Sequence, residues 1–164
     1  MIEKIISGGQ TGVDRGALDA ALALGFPCGG WCPDGRLAAD GPLDLRYPLQ
    51  ELAGGGYRQR TRQNVLDSDA TLIVYRRWIQ PLSGTELTLQ FCLQKRKPYV
   101  LIDAAHYSPA QAASLIQEFA DHFTVRTLNV AGPQETQPSF FRDYSESCIR
   151  LLLSQIACPS STAR

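Results

Sequence analysis

A single α/β domain, doubly wound, with a mostly parallel sheet and helices on both faces, is the fold this chain predicts. Two observations carry that expectation. The first lies at the start of the chain: Ile2 to Ile6 is a short apolar run, a Gly-rich turn follows at Ser7 to Gly12, and Ala17, Leu18, Ala21, Leu22 and Leu24 then repeat at helical spacing. The second is that apolar strand-like runs and helix patterns keep alternating along the chain, as parallel strands joined by crossover helices require. With 164 residues there is chain enough for one sizeable core.

The elements follow in order. Pro27 to Trp31 reads as a second strand, and a polar loop runs from Cys32 to Pro42. Tyr47 to Leu52 is a third strand and Arg60 to Leu66 a short helix. Ala70 to Tyr75, rich in β-branched residues, is a fully buried strand. Gly84 to Gln94 is a helix, and Tyr99 to Ile102 a strand introduced by Pro98. Ser108-Pro109 opens the next helix with a cap residue and a proline in the first turn. Val125 to Val130 is the last strand, and Phe141, Tyr144, Cys148, Leu151 and Leu152 mark a final amphipathic helix. The domain is expected over 1–156, with a disordered tail over 157–164. The common doubly wound order sets the first strand beside Ala70–Tyr75, with the ligand at the switch point between them.

Composition narrows the function classes. Sixteen basic and sixteen acidic side chains leave a formal net charge of zero. That argues against nucleic-acid or membrane binding driven by bulk charge. No apolar run approaches a membrane span and no signal peptide precedes the first strand, so the expected location is the cytoplasm. The five cysteines are odd in number and scattered, as free thiols in a reducing compartment would be. Cys28 and Cys32 do not make a C-x-x-C, and no zinc site is expected.

The chemistry is in two turns. Ser7-Gly8-Gly9-Gln10-Thr11-Gly12 sits between a strand and a helix, where backbone N–H groups and a helix dipole meet an anion. No Gly-Lys-Ser/Thr follows, and the glycines do not fit G-x-G-x-x-G. The turn either binds a phosphate-like group through Gly8, Gly9, Gln10, Thr11 and Gly12 or is only a tight connection. Arg15 either reaches the anion or lies in solvent, and Asp14 is placed to cap the helix. Ser83-Gly84-Thr85 opens a later helix in the same way, as an anion clamp or as ordinary caps. On the loop before it, Arg76 is placed to pair with phosphate. Arg60 and Asn64 share a helix face. Trp31 is either a pocket wall or core. No Ser/His/Asp or Cys/His set can be assembled, so no catalytic residue is assigned.

Residues 6–19, Gly-Gly-Trp-Cys-Pro-Asp-Gly-Arg at 29–36, Asp40-Gly41-Pro42, Arg60-Thr61 with Asn64-Val65, Asp67 to Ile73, and Gly84-Thr85 with Thr88 together resemble the molybdenum carrier family. The resemblance covers roughly residues 2–155. It implies a Rossmann-like fold, a homo-oligomer (dimer or tetramer), and storage or delivery of the molybdenum cofactor to molybdoenzymes. That cofactor, molybdopterin, is a molybdenum atom on a pterin dithiolene with a terminal phosphate. Its sulfurs hold the metal, so no protein metal motif is needed. With the residues read above from turn chemistry, Arg76 and Ser83 among them, the candidate site is Gly8, Gly9, Gln10, Thr11, Gly12, Arg15, Trp31, Arg60, Asn64, Arg76, Ser83, Gly84 and Thr85. The wider group is similar to lysine-decarboxylase-like phosphoribohydrolases, which carry Gly-Gly-x-Gly-Thr-x-x-Glu in the second loop. Here the final acid is replaced by Thr88 and the first two glycines are missing, and Ser83 departs from the glycine expected in the carrier family. A threonine cannot do a carboxylate's acid–base work. The readings are therefore a cofactor carrier, a nucleotide sensor, or an enzyme cleaving nucleoside monophosphates.

Overall fold

The computed structural model describes residues 1–135 and 139–157. The strands are β1 (Lys4–Ile6), β2 (Cys28–Gly29), β3 (Trp31–Pro33), β4 (Leu37–Ala38), β5 (Gly41–Pro42), β6 (Gln50–Leu52), β7 (Ala70–Tyr75), β8 (Tyr99–Asp103) and β9 (Thr127–Ala131). The helices are α1 (Val13–Ala23), α2 (Tyr57–Asp67), α3 (Gly84–Lys95), α4 (Pro109–His122) and α5 (Phe140–Ala157). Five strands form one all-parallel sheet in the order β2-β1-β9-β7-β8. Helices α1, α4 and α5 pack together over one face, and α2 and α3 pack together over the other. The α/β fold with a parallel sheet is as expected. Of the tail expected over 157–164, Ala157 still belongs to α5, and the rest lies outside the described residues.

The expected neighbour of β1 is corrected. β1 does not touch β7, because β9 lies between them, with Ile5 opposite Leu128 and Leu72 opposite Val130. Counted from β9 and on through the chain start, the strands run β9, β1, β2, β7, β8. Their spatial order is then 3-2-1-4-5, the order of nucleotide-binding sheets. The switch point accordingly falls between β9 and β7. Sequence reasoning took the first strand along the chain to be the first strand of the fold, and nothing in local periodicity corrects that.

The strand expected at Pro27 to Trp31 is split. Cys28–Gly29 joins the main sheet, while Trp31–Pro33 pairs with Gln50–Leu52 in a separate ribbon. Gly30 makes the break: its φ is 122°, and a side chain there would strike the Ser7 carbonyl. The third expected strand is thus short and outside the main sheet. The polar loop contains a small hairpin, β4 with β5. Leu18, Cys32, Ala38, Leu43, Tyr47 and Leu49 form a second core beneath this segment, beside the main core between the sheet and α1, α4 and α5. Burying this many small and branched side chains against a sheet covered on both faces is the dominant stabilising term.

Candidate functional site

A cleft of about 840 Å³ opens at the carboxyl ends of β9 and β7, at the switch point. It falls in the range of about 300–1,000 Å³ common for small-ligand sites. Its walls come from the loop after β9 (Ala131, Gly132, Pro133, Gln134), the loop after β7 (Tyr75, Arg76, Trp78, Ile79, Gln80) and the start of α3 (Ser83, Gly84, Thr85). Gln10 and Asp14 enter from the first turn, and Tyr57, Arg60 and Thr61 from α2.

The turn after β1 is filled by the protein itself. The Asp14 carboxylate, at the start of α1, accepts from the Gln10 N–H at 3.3 Å, and the Gly8 N–H also faces it. The Gly9 N–H donates to Ser7 Oγ at 3.5 Å and the Thr11 N–H to Gln10 Oε1 at 2.9 Å. Gln10 Oε1 also accepts from the Ala39 N–H. Burial raises the Asp14 carboxyl above its ordinary range, and the nearby Arg60 guanidinium pulls the other way. Gly9 and Gly12 have φ of 74° and 81°, and their side-chain directions point at Leu49 and at the Pro133 carbonyl, inside the protein. These two glycines therefore serve the packing of the turn.

The sequence-derived residues divide accordingly. Gln10, Arg60, Arg76, Ser83, Gly84 and Thr85 meet at the cleft; Gly8, Gly9, Thr11, Gly12, Arg15, Trp31 and Asn64 do not line it. Arg15 is buried and pairs twice with Asp40 at 3.0 Å, while its Nε donates to the Gly9 carbonyl. Asp40 is held below the usual carboxylate range by that hydrogen bond. Asn64 spans the backbone of Trp31, accepting from its N–H at 2.8 Å and donating to its carbonyl at 3.0 Å. The Trp31 indole donates to Asp67. Thr11 Oγ1 accepts from the Glu135 N–H, fixing the β9 loop. Gly8 leaves room for the Arg60 guanidinium, which lies where a side chain would stand.

The start of α3 is different. Ser83 caps the helix, accepting from the Glu86 N–H at 3.2 Å and donating to the Gln80 carbonyl at 2.6 Å. Glu86 reaches back to the Leu82 N–H at 2.7 Å. The N–H groups of Gly84 and Thr85, in the first turn of the helix, have no partner among the described residues, and neither has the Thr85 hydroxyl. A side chain at Gly84 would meet nothing within 4 Å. Thr88 is buried with its hydroxyl on the Gly84 carbonyl at 2.9 Å. The loop before α3 is strained at Arg77 and Leu82, with φ of 66° and 60°. Leu82 and Trp78 stand exposed at the rim, 98% and 59%.

Two arginines flank this helix start. Arg60 Nη1 is 3.4 Å from Asp14 Oδ2, while its buried Nε has no partner. The Arg76 guanidinium lies 4.3 Å from the centre of the Phe140 ring. Sequence reasoning missed Asp14 as a cleft residue, the aromatic walls Tyr57, Tyr75 and Phe141, and the β9 loop. Gly132-Pro133 was the available signal: a small-residue turn straight after a strand. No group of three or more His, Cys, Asp or Glu suited to a metal occurs among the described residues. Nor is any described helix long and apolar enough to cross a membrane.

The crystal structure of "Putative molybdenum carrier protein" from Syntrophus aciditrophicus SB is similar to this chain, with 41% identity and a TM-score of 0.87 over 93% of this chain and 95% of that one. No curated protein matches. The model of the circularly permutated YpsA SLOG family matches residues 5–153, and its permutation agrees with a sheet whose order becomes regular when counted from β9. The chain belongs to the circularly permutated YpsA SLOG family.

Proposed function

We propose that this chain binds and carries the molybdenum cofactor, with the phosphate of molybdopterin at the start of α3. The observation that carries this reading is the pair of unpartnered N–H groups at Gly84 and Thr85, facing a cleft with Arg60 and Arg76 on its walls. A helix start with free donors favours a phosphate oxyanion. Trp78 and Tyr57, both exposed at the cleft, suit the flat pterin. The relative named as a molybdenum carrier supports the choice of pterin over other flat heterocycles. The metal stays on the cofactor's own dithiolene, so the protein needs only to hold the phosphate and the ring.

The carrier works in the cytoplasm as a homo-oligomer, a dimer or tetramer, and passes its cargo to molybdoenzymes. Support for the compartment is that the four described cysteines are free. Support for assembly is the exposed Leu93 on α3 and Leu101 on the edge strand β8. Native mass spectrometry of protein purified from a cofactor-producing host tests the reading: a bound mass matching a molybdopterin species is expected, and a nucleotide mass overturns it in favour of a sensor.

A nucleotide-cleaving enzyme is the second reading, favoured by Ser83-Gly84-Thr85-Glu86 alone. The acid at position 88 is a buried threonine, and Glu86 is engaged with the Leu82 N–H outside the helix start. Turnover of adenosine monophosphate to free base, abolished by Glu86→Gln, is the result that would replace the carrier with the enzyme.

A further inference from the structure

The entry into α3 carries the residues for two helix-entry contacts and completes neither. In a capping box the N-cap serine accepts from the N–H three residues on, and the glutamate there returns to the serine's own N–H. Ser83 and Glu86 hold those places. Ser83 Oγ does accept from the Glu86 N–H, but the Glu86 carboxylate overshoots by one residue, onto the Leu82 N–H at 2.7 Å. The Ser83 N–H goes instead to the Gln80 carbonyl at 3.3 Å. In a hydrophobic staple the residue before the N-cap packs on the fourth residue of the helix, here Leu82 on Leu87. Leu82 is 98% exposed, so that contact is absent, while Leu87 lies in the cleft wall. Its φ of 60° is one that a leucine side chain disfavours. A leucine is thus held in strained backbone with its side chain in water. The loop is strained again at Arg77, whose N–H is fixed on Asp103 Oδ1 at 2.8 Å. Between the two lies Trp78, exposed at the rim of the cleft.

We propose that residues 78–82 form a lid, open in this structure, that closes over the cleft by completing both contacts. In the closed state Leu82 leaves the left-handed region for extended backbone. Its side chain drops onto Leu87, the Glu86 carboxylate moves to the Ser83 N–H, and Gln80 is released. Because Leu87 lines the cleft, this carries the loop inward and Trp78 across the mouth. Arg77, tied to the end of β8 through Asp103, is the pivot. Two hydrogen bonds latch the open state: the Leu82 N–H to Glu86, and Ser83 Oγ to the Gln80 carbonyl at 2.6 Å. Burial of Leu82 and relief of its φ favour closing and offset the latch, so a ligand beneath Trp78 tips the equilibrium. Closing shields the cargo from water and slows its release, which is what a carrier needs between loading and delivery. The lid rests on the proposed cleft for its ligand, but its two states belong to the chain alone.

The test is fluorine NMR of the full chain with fluorotryptophan at both tryptophans, the Trp78 resonance being the one lost in Trp78→Phe. Exposure is read from the shift on exchanging light for heavy water. Two variants bias the lid with no ligand present. In Leu82→Ile a β-branched side chain resists positive φ and keeps the staple; in Leu82→Asn the side chain tolerates positive φ and loses the staple. Leu82→Ile is expected to cut the Trp78 solvent shift by about half or more, and Leu82→Asn to leave it at the wild-type value. Trp31, outside the cleft, is the unmoved control. The ligand probe is the oxidised, metal-free pterin of the cofactor bearing its phosphate monoester. It is expected to shield Trp78 in the wild type and to bind Leu82→Asn about tenfold more weakly. Equal Trp78 solvent shifts in the two ligand-free variants overturn the lid. Equal affinity of the probe for all three chains overturns its part in holding the cargo and leaves the α3 site standing. Binding to none of them overturns the functional reading, and the ligand-free comparison still decides the lid.

Discussion

The turn after β1 and the turn before α3 read alike in sequence, both rich in glycine and small hydroxyl residues at a helix start, yet the structure uses them in opposite ways. The first is largely closed: Asp14, Ser7 and Gln10 accept from the Gly8, Gly9, Gln10 and Thr11 N–H groups, and Gly9 and Gly12 press against Leu49 and Pro133. The second is open: Gly84 and Thr85 keep free donors and Gly84 has empty space beside it. A glycine can be needed for the protein's own packing or for a visitor's approach. Only the surroundings of the missing Cβ tell the two apart.

The largest effect that separates the turns is on folding. Gly12→Val places a side chain against the Pro133 carbonyl at a φ of 81°. Strain and overpacking together should cost about 2–5 kcal/mol, read as a lower midpoint in urea unfolding. Gly9→Val is similarly expected to destabilise the fold, with Leu49 in the way. An unchanged midpoint for Gly12→Val would show that the first turn is not closed.

Next in size is Gly84→Val. Stability should shift by no more than about 0.5 kcal/mol, since nothing lies within 4 Å, while affinity for the pterin phosphate should fall by about a hundredfold. Calorimetric titration beside a thermal melt checks both halves. Wild-type affinity in the folded variant would remove the ligand from α3. Thr85→Val should follow with about a tenfold loss, for one hydroxyl donor to a charged oxygen. Ligand affinity equal to the wild type would place the hydroxyl outside the contact.

The smallest effect is a slope with pH. Burial raises Asp14, so the folded chain keeps its proton where the unfolded chain has lost it. Stability therefore declines as pH rises from about 4, the ordinary carboxylate range, through the raised value. Asp14→Asn removes that decline, and its stability relative to the wild type should improve over the same interval. A difference that is flat with pH in urea titrations would mean that Arg60 and the turn donors outweigh burial.

Much of this was legible in the residues. The Ala70–Tyr75 run, the Ser108-Pro109 start and the alternation of strand and helix mark the parallel sheet, because buried strands and capped helices leave local signatures. Arg76 and Ser83 to Thr85 were singled out from loop and turn chemistry and Arg60 from the helix face it shares with Asn64, and all of them line the cleft. What the residues did not reveal depends on distant partners. Arg15 reads as a free cation until Asp40 is folded against it, and Asn64 as a binding residue until Trp31 lies beneath it. That β9 belongs between β1 and β7 is a matter of connectivity, to which the periodicity of Val125–Val130 is blind.

That central position of β9 bears on how the molecule comes into being. A ribosome delivers β1 and β2, then β7 and β8, before the strand that joins them. Until Thr127–Ala131 emerges, the sheet is two separate pairs, each with a bare inner edge. Such edges invite pairing with other chains. The seam closes only through contacts between residues far apart along the chain, such as Thr71 with Asn129, which form slowly. The nascent chain is thus exposed to edge-to-edge association for most of its synthesis, and the last strand made ends that exposure.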